Sequence, residues 1–219
     1  MNWRPHDLIW VSRTALMAAP YPTDAAPPRW VSEGEGPVVV RRERMSNSDW
    51  IPVGVRGHNK SERYAAYVRR TEVNVGVTPY QLATARGWRQ HLLGDRHPAL
   101  IMLQQLAEIL DGHGLAWGVT GSVGYELATG ESQLRPGSDL DLVIDSPQPV
   151  SRAQANALLT QIGQPLCRLD IQLETGFGAV ALAEWAGSSA KVMVRTDTGP
   201  YLTTSPWRSF MAERSLCPA

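Results

Sequence analysis

In the second half of the chain, segments with a helical spacing of apolar residues alternate with shorter segments in which every second residue is apolar. The first pattern predicts amphipathic helices, and the second predicts strands with one buried face. The predicted helices are 98–110, 122–128, 152–162 and 179–186, and the predicted strands are 115–119, 139–144, 166–174 and 191–196. Alternation of this kind is typical of a sheet with helices packed on it.

Turn-forming residues interrupt the first half. Four prolines between residues 18 and 29 predict an irregular loop, and short β-type runs follow at 37–41, 50–55 and 63–68. Thr78 and Pro79 are typical of a helix start and lead into a predicted helix over 80–91. We therefore predict an α+β chain with two domains, a small β-rich N-terminal domain over 1–78 and a second domain over 79–219.

Composition narrows the class of protein. Hydrophobic residues make up 43% of the chain and charged residues 19%, which is ordinary globular composition. No apolar run is long enough to cross a membrane, and the N-terminus lacks the apolar stretch of a signal peptide. Because Cys167 and Cys217 cannot form a disulfide framework, we expect a protein of the reducing cytoplasm, without membrane attachment.

The net charge of zero conceals a difference between the two halves. Residues 1–99 carry 14 Lys and Arg against 9 Asp and Glu, whereas residues 100–219 carry 7 against 12. Such asymmetry indicates different partners for each half. The acidic half favours metal cations, and the basic half favours phosphates or an acidic protein.

Two carboxylates lie close together in the predicted strand over 139–144. Side chains alternate faces along a strand, so Asp139 and Asp141 project together while Leu140 and Leu142 point to the core. The two negative charges repel each other unless a cation lies between them. Carboxylate oxygens are suitable ligands for Mg²⁺ or Mn²⁺. If the next strand is adjacent, Asp170 joins the same face, and the three carboxylates could hold two metal ions for phosphoryl transfer.

A glycine–serine turn precedes these carboxylates. Gly121 and Ser122 separate a predicted strand from a predicted helix, and the start of that helix could hold a phosphate. Neither the dinucleotide-binding nor the P-loop glycine pattern is present. A strand, a Gly-Ser turn, a helix, an Asp-x-Asp strand and a third Asp on the following strand form a specific order.

That order resembles the nucleotidyltransferase superfamily that includes DNA polymerase β. The matching segments are 120–122, 139–142 and 169–171, although sixteen residues separate Ser122 from Asp139, somewhat more than is usual. The resemblance implies a polymerase β-like domain with a mixed sheet and helices packed on it. It also implies that Asp139, Asp141 and Asp170 are catalytic and bind the metal.

The whole chain resembles a narrower family, the phosphoribosyl-dephospho-CoA transferases of malonate decarboxylase, also called holo-acyl-carrier-protein synthases. The matching segments are RPHDLIW (4–10), VGVRG (53–57), GS (121–122), GSDLDL (137–142), ALAEW (181–185) and TDTGP (196–200). This resemblance implies transfer of the prosthetic group from 2′-(5″-triphosphoribosyl)-3′-dephospho-CoA to a serine of the apo acyl carrier protein subunit, with release of pyrophosphate. It also implies that the domain over 1–78 binds substrate or carrier, that the domain over 79–219 is the nucleotidyltransferase catalytic domain, and that nucleic acid is not a partner.

Further residues are predicted to bind substrate. Gly121, Ser122 and Ser138 belong to the matched segments, and Arg135 lies in the loop before the Asp-x-Asp strand. Lys191 begins the strand over 191–196 and is a possible phosphate contact. Arg56, with Lys60 and Arg63, could help the basic half bind the carrier or the donor phosphates.

Two other functions fit the same residues. The chain could be a general nucleotidyltransferase that uses ATP on a small-molecule or protein hydroxyl, or a non-catalytic module that binds a carrier protein. The separate N-terminal domain argues against the first, and retention of three like charges argues against the second. The histidines lack metal-ligand spacing and are interpreted as surface or capping residues, and Cys167 as a buried structural thiol.

Overall fold

A computed structural model describes residues 2–21, 26–57 and 62–208 of the chain. Contacts divide it into two compact units, Met1–Thr78 and Pro79–Ala219. Each unit contains a sheet of its own, and helices accompany the larger sheet, so the predicted α+β class is confirmed. None of the helices in the described ranges is long and apolar enough to span a membrane.

The first unit is built on a five-stranded antiparallel sheet with the order β4-β3-β2-β1-β5. Its elements are β1 Leu8–Val11, α1 Arg29–Ser32, β2 Val38–Val40, β3 Trp50–Arg56, β4 Arg63–Arg69 and β5 Val73–Val77, with 3₁₀ turns at Arg13–Ala15 and Arg70–Glu72. Aliphatic side chains from the strands form the core, including the fully buried Ile9, Val38 and Val53. Apolar burial of this kind is the main stabilising contribution in a small sheet domain.

The three predicted strands of this unit are confirmed as β2, β3 and β4, but two further strands were missed. β1 lies between β2 and β5, with Leu8 opposite Val39 on one side and Val77 on the other. It is a short apolar run without polar alternation, and such a run gives no clear strand signal from sequence alone. β5 lies at the edge of the sheet.

Two charged side chains are buried in the first unit, Asp7 and Arg13. The Asp7 carboxylate accepts a hydrogen bond from the Arg4 backbone N–H at 2.8 Å. Burial raises the pKa of Asp7 to about 6, although the Arg4 hydrogen bond and charge oppose that shift. The Arg13 guanidinium donates to the backbone carbonyls of Glu35 and Gly36.

The second unit contains a six-stranded sheet with the order β11-β10-β9-β8-β7-β6. Its strands are β6 Trp117–Val119, β7 Leu140–Asp145, β8 Leu169–Glu174, β9 Ala179–Ala181, β10 Val192–Thr196 and β11 Gly199–Thr203. The β7–β8 pair is parallel and the other pairs are antiparallel. The sheet is therefore mixed, as the sequence predicts.

Helices complete the second unit. They are α2 Pro79–Ala85, α3 Pro98–Gly112, α4 Gly121–Thr129, α5 Arg152–Ile162 and α6 Leu182–Ala186, with a 3₁₀ turn at Gly87–Gln90. The leucine stripe of α3 is buried, as its spacing predicts. Ser151 caps α5 in a reciprocal capping box with Gln154, which fixes the start of that helix.

Two helix predictions in this unit were wrong in their extent. The helix expected over 80–91 ends at Ala85, because Arg86 adopts a left-handed conformation and a 3₁₀ turn follows. The segment expected as one helix over 179–186 begins as strand β9, which pairs with β8 and β10 before α6 starts. Sheet pairing there overrides the local helix preference of alanine. Strand β11 was not predicted.

Candidate active site

Two carboxylates lie side by side on the parallel pair β7–β8, because Asp141 is directly opposite Asp170 in the register. Adjacent strands are about 4.8 Å apart, and paired residues point to the same face. The alternate residues of β7, Leu140 and Leu142, are fully buried on the opposite face. The predicted adjacency of the two strands is therefore confirmed, and it places Asp141 and Asp170 together.

Asp139 comes one residue before β7 begins, so the strand itself does not fix its direction. Its carboxylate is 38% exposed and lies 3.8 Å from the exposed guanidinium of Arg168. An ion pair that is this long and this exposed contributes little to stability. Asp139 is therefore positioned less tightly than the pair on the strands.

The turn between β6 and α4 is bonded to the strand at Asp141. The Thr120 backbone N–H donates to the Asp141 carbonyl at 2.9 Å, and the Thr120 hydroxyl donates to the same oxygen at 3.2 Å. Gly121 has φ +68°, and a Cβ at this position would overlap the Asp141 carboxylate. Glycine is therefore required at this position for two reasons, the left-handed backbone conformation and the lack of space for a Cβ. Ser122 follows in the first turn of α4 and is half-buried.

The donor set of this face suits Mg²⁺ or Mn²⁺, which prefer carboxylate oxygens. Among the described residues, no group of three or more His, Cys, Asp or Glu is arranged closely enough to hold a metal by itself. Mg²⁺ commonly binds through one or two carboxylates together with substrate phosphates. The aligned Asp141 and Asp170, with Gly121 leaving room for the Asp141 carboxylate, fit that second arrangement.

The loop between α4 and β7 is held by a buried glutamate. Glu126 is 5% exposed, and its Oε2 accepts hydrogen bonds from the backbone N–H groups of Gln133 and Leu134, both at 2.6 Å. Its Oε1 lies 2.8 Å from His91 Nε2. Because Oε2 accepts from two successive backbone N–H groups, the carboxylate fixes the loop at both residues. The contact of Oε1 with His91 gives the other oxygen a partner too.

The same loop is fixed a second time close to Asp139. His97 is buried and lies with Nε2 at 2.9 Å from the Arg135 carbonyl, while its Nδ1 accepts from the Ala99 N–H at the start of α3. Ser138 is also buried, and its hydroxyl accepts from the Arg135 N–H at 2.9 Å. The Ser138 hydroxyl is thus part of the turn that leads into Asp139, and the Arg135 side chain is exposed.

Cys167 lies near the two aspartates of the β7 segment. Burial raises the pKa of its thiol, and the negative charges of Asp139 and Asp141 raise it further, against a hydrogen bond from Leu140. A thiol with a raised pKa is a poor nucleophile at neutral pH. Cys167 is half-buried rather than fully buried.

Two other predicted substrate-binding residues belong to other strands or adjoin them. Lys191 is exposed just before β10, and β9 separates that strand from β8. Arg56 is exposed at the end of β3 in the first unit. Lys60, predicted with Arg56, lies outside the described residues.

Three residues of this region were missed as functional candidates: Gln172, Glu126 and His97. Gln172 is buried and its Nε2 donates to Asp170 Oδ1 at 2.7 Å. Because Gln172 comes two residues after Asp170, the sequence predicts that both lie on one face of the strand. Nothing in the neighbouring residues predicts that this face is buried at Gln172. Glu126 and His97 act on residues distant in sequence. The capping role expected for histidines is confirmed at His97, which is buried as well.

Comparison with known families covers both units. Residues 4–79 match the model described as "Phosphoribosyl-dephospho-CoA transferase MdcG N-terminal domain", and residues 81–206 match the corresponding C-terminal domain. The chain belongs to the phosphoribosyl-dephospho-CoA transferase family. The match to the C-terminal domain contains Asp139, Asp141 and Asp170 and the turn at Gly121.

Individual members of the family match along almost their full length. A phosphoribosyl-dephospho-CoA transferase of Azotobacter vinelandii is 42% identical over 212 residues, which is 95% of this chain and 96% of that protein. A protein of the same name from Pseudomonas putida is 44% identical, covering 93% of this chain and 95% of its own. One from Klebsiella pneumoniae is 38% identical, with 93% and 96% covered. No solved structure gives a significant match.

Proposed function

We propose that this chain transfers the phosphoribosyl-dephospho-CoA group from triphosphoribosyl-dephospho-CoA to a serine of the apo acyl carrier subunit of malonate decarboxylase. The names of its relatives support the transferred group. The observation that carries the chemistry is the register of Asp141 against Asp170, with the Gly121 turn packed on the Asp141 carboxylate. Aligned carboxylates beside a glycine turn suit transfer of a phosphate-linked group.

The proposed reaction is a displacement at phosphorus. The serine hydroxyl oxygen forms a bond to the α-phosphorus of the donor, and the bond from that phosphorus to the oxygen bridging it to the β-phosphorus breaks. Pyrophosphate leaves with the electron pair, and the proton of the serine passes to the Asp170 carboxylate or to solvent. A phosphodiester then joins the prosthetic group to the carrier.

Each residue of the site has a role in this proposal. Asp139, Asp141 and Asp170 would hold Mg²⁺ or Mn²⁺, which would neutralise charge on the donor phosphates. Gly121 and Ser122 bind the departing pyrophosphate at the start of α4, where backbone N–H groups are unpaired. Asp170 aligns or deprotonates the attacking hydroxyl. Positioning and charge neutralisation lower the barrier of such a step more than covalent chemistry does.

The remaining substrate contacts are proposed outside this centre. Arg135 and Lys191 are exposed cations of the second unit that would contact donor phosphates. Ser138 would act through the turn that it holds at Arg135. Arg56 of the first unit would help bind an acidic carrier or the donor. We propose that the reaction takes place in the cytoplasm, without nucleic acid as a partner.

Intact-mass spectrometry of the apo carrier subunit tests the proposal. The carrier is incubated with this protein, Mg²⁺ and triphosphoribosyl-dephospho-CoA, and a parallel sample contains ATP instead. We expect a gain equal to the phosphoribosyl-dephospho-CoA group, and no gain with the Asp141→Asn variant. A gain of AMP in the ATP sample alone would indicate a general nucleotidyltransferase. No gain in either sample would favour a carrier-binding module.

A further inference from the structure

The side chain of Gln172 contacts the carboxylate that the proposed mechanism uses on β8. Its Nε2 donates to Asp170 Oδ1 at 2.7 Å. An ionised carboxylate only accepts hydrogen bonds, so this contact fixes which end of the amide faces Asp170. The two residues are separated by one position on β8 and therefore share a face of the sheet.

The other end of the same amide has no partner. Gln172 is 7% exposed, and its Oε1 is buried without a hydrogen bond from any described residue. Its register neighbours on β7 and β9 are Val143 and Ala181, which offer no polar side chain. A buried polar atom without a partner destabilises the folded state.

An apolar side chain of similar size would avoid that penalty at this position. Its register neighbours Val143 and Ala181 are apolar, and methionine or leucine would pack beside them without an unpaired oxygen. Packing against Val143 and Ala181 therefore gives no reason for glutamine, whereas the contact with Asp170 does. Unpaired buried groups in folded proteins commonly mark sites where function outweighs stability.

We propose that Gln172 is a positioning residue that holds the Asp170 carboxylate in its working orientation. The amide binds Oδ1 and restricts rotation of the carboxylate, which leaves Oδ2 for the attacking hydroxyl or the cation. This role rests on the proposed function, because it assigns Asp170 to the reacting centre. Gln172 itself touches neither substrate nor the reacting phosphorus.

Two variants and one matched control test this role in the full chain. Gln172→Met and Gln172→Leu remove the amide and retain an apolar side chain, so either one suffices if the other fails to fold. Val143→Ala is the control, because it removes packing opposite Gln172 and leaves the amide in place. The measurements are kcat and the donor KM, the melting temperature, and Mn²⁺ affinity by electron paramagnetic resonance with pyrophosphate present.

For the Gln172 variants we expect kcat and Mn²⁺ affinity to fall by about tenfold, as for loss of a residue that orients a ligand. Their donor KM stays nearly constant, and the melting temperature is equal to that of the unmodified protein or higher. Val143→Ala lowers the melting temperature and leaves kcat and Mn²⁺ affinity unchanged.

Two results would overturn the role. One is unchanged kcat and unchanged Mn²⁺ affinity in a folded Gln172 variant, and the other is an equal loss of both in Val143→Ala. If the unmodified protein transfers nothing to the carrier, the proposed function fails. The Mn²⁺ comparison then still decides whether Gln172 orients Asp170.

Discussion

The two units differ in what they bury. In the first unit the buried polar or charged side chains of the described residues are Asp7 and Arg13, whereas the second unit buries eight such side chains. Five of those eight lie at or near the candidate site: His97, Thr120, Glu126, Ser138 and Gln172. They bond to the loop before Asp139, to Asp141 or to Asp170.

Because buried polar groups are costly unless they are paired, their concentration indicates where the chain gives up stability for geometry. The first unit uses aliphatic packing for its sheet. The second unit uses hydrogen bonds to fix a loop and two strands around a carboxylate pair. Substitutions at the buried polar positions around the candidate site should therefore affect turnover, and those at buried polar positions of the first unit should affect stability alone.

The largest effect is expected at Asp141. Asp141→Asn removes one charge of the aligned pair, and we expect the transfer rate to fall by about 10²–10³-fold, as for loss of one electrostatic stabiliser. The melting temperature should change little, because the half-buried side chain remains similar in size. Transfer kinetics followed by carrier mass measure the effect, and near-normal turnover would remove Asp141 from the mechanism.

The second largest effect is expected for Gly121→Ala. We expect turnover to fall by about 10²-fold, because the added Cβ displaces the Asp141 carboxylate. Gly114→Ala is the matched control. Gly114 has φ +64° and no atom near its Cβ position, so it carries the same conformational penalty without the overlap. We expect the control to lose about 1 kcal/mol of stability and no activity. Equal turnover losses in both variants would contradict a specific role for Gly121.

Asp7 tests the first unit. Its pKa in the folded protein is about 6, above its value of 3.8 in a free chain, because burial disfavours the charged form. Between pH 3.8 and pH 6 the Asp7 carboxyl is ionised in the unfolded chain and still protonated in the folded protein, so the free energy of unfolding falls as the pH rises. Above pH 6 the cost of burying the charged carboxylate is fully present. Asp7→Asn removes the charge and retains an acceptor for the Arg4 N–H.

We therefore expect Asp7→Asn to raise the free energy of unfolding by about 2–3 kcal/mol at pH 8 and by almost nothing near pH 3.5. Urea unfolding of the full chain at the two pH values measures this difference. Turnover should be unchanged, and a loss of turnover in Asp7→Asn would contradict a purely structural role for Asp7.

The smallest effect is expected at Glu126. Glu126→Gln removes the charge that strengthens the hydrogen bonds from two backbone N–H groups and replaces the oxygen that faces His91 with an amide nitrogen, and we expect a loss of about 2 kcal/mol. The donor KM should rise if the freed loop carries Arg135. Glu108→Gln is the control, since Glu108 is exposed and pairs only weakly with Arg89. Urea unfolding measures the free energy of unfolding of each variant, and donor titration measures its KM. Equal values for Glu126→Gln and Glu108→Gln would contradict an anchoring role for Glu126.

Sequence reasoning was successful where the signal is local. The bounds of α5, the α3 stripe and the alternation along β7 and β8 each depend on residues within a few positions. It was wrong about 179–186, where pairing with β8 and β10 decides the structure. It also missed His97 and Glu126 as loop anchors, because their partners lie at positions fixed only by tertiary packing.

The parallel pairing of β7 with β8 has a consequence for how the protein folds. Parallel strands cannot be joined by a tight turn, and here the connection runs through α5 before β8 returns beside β7. Asp141 and Asp170 therefore meet only after a long loop has closed, which is slow compared with hairpin formation. During synthesis, the first carboxylate emerges from the ribosome well before the second. We therefore expect the candidate site to be among the last parts of its unit to acquire native geometry.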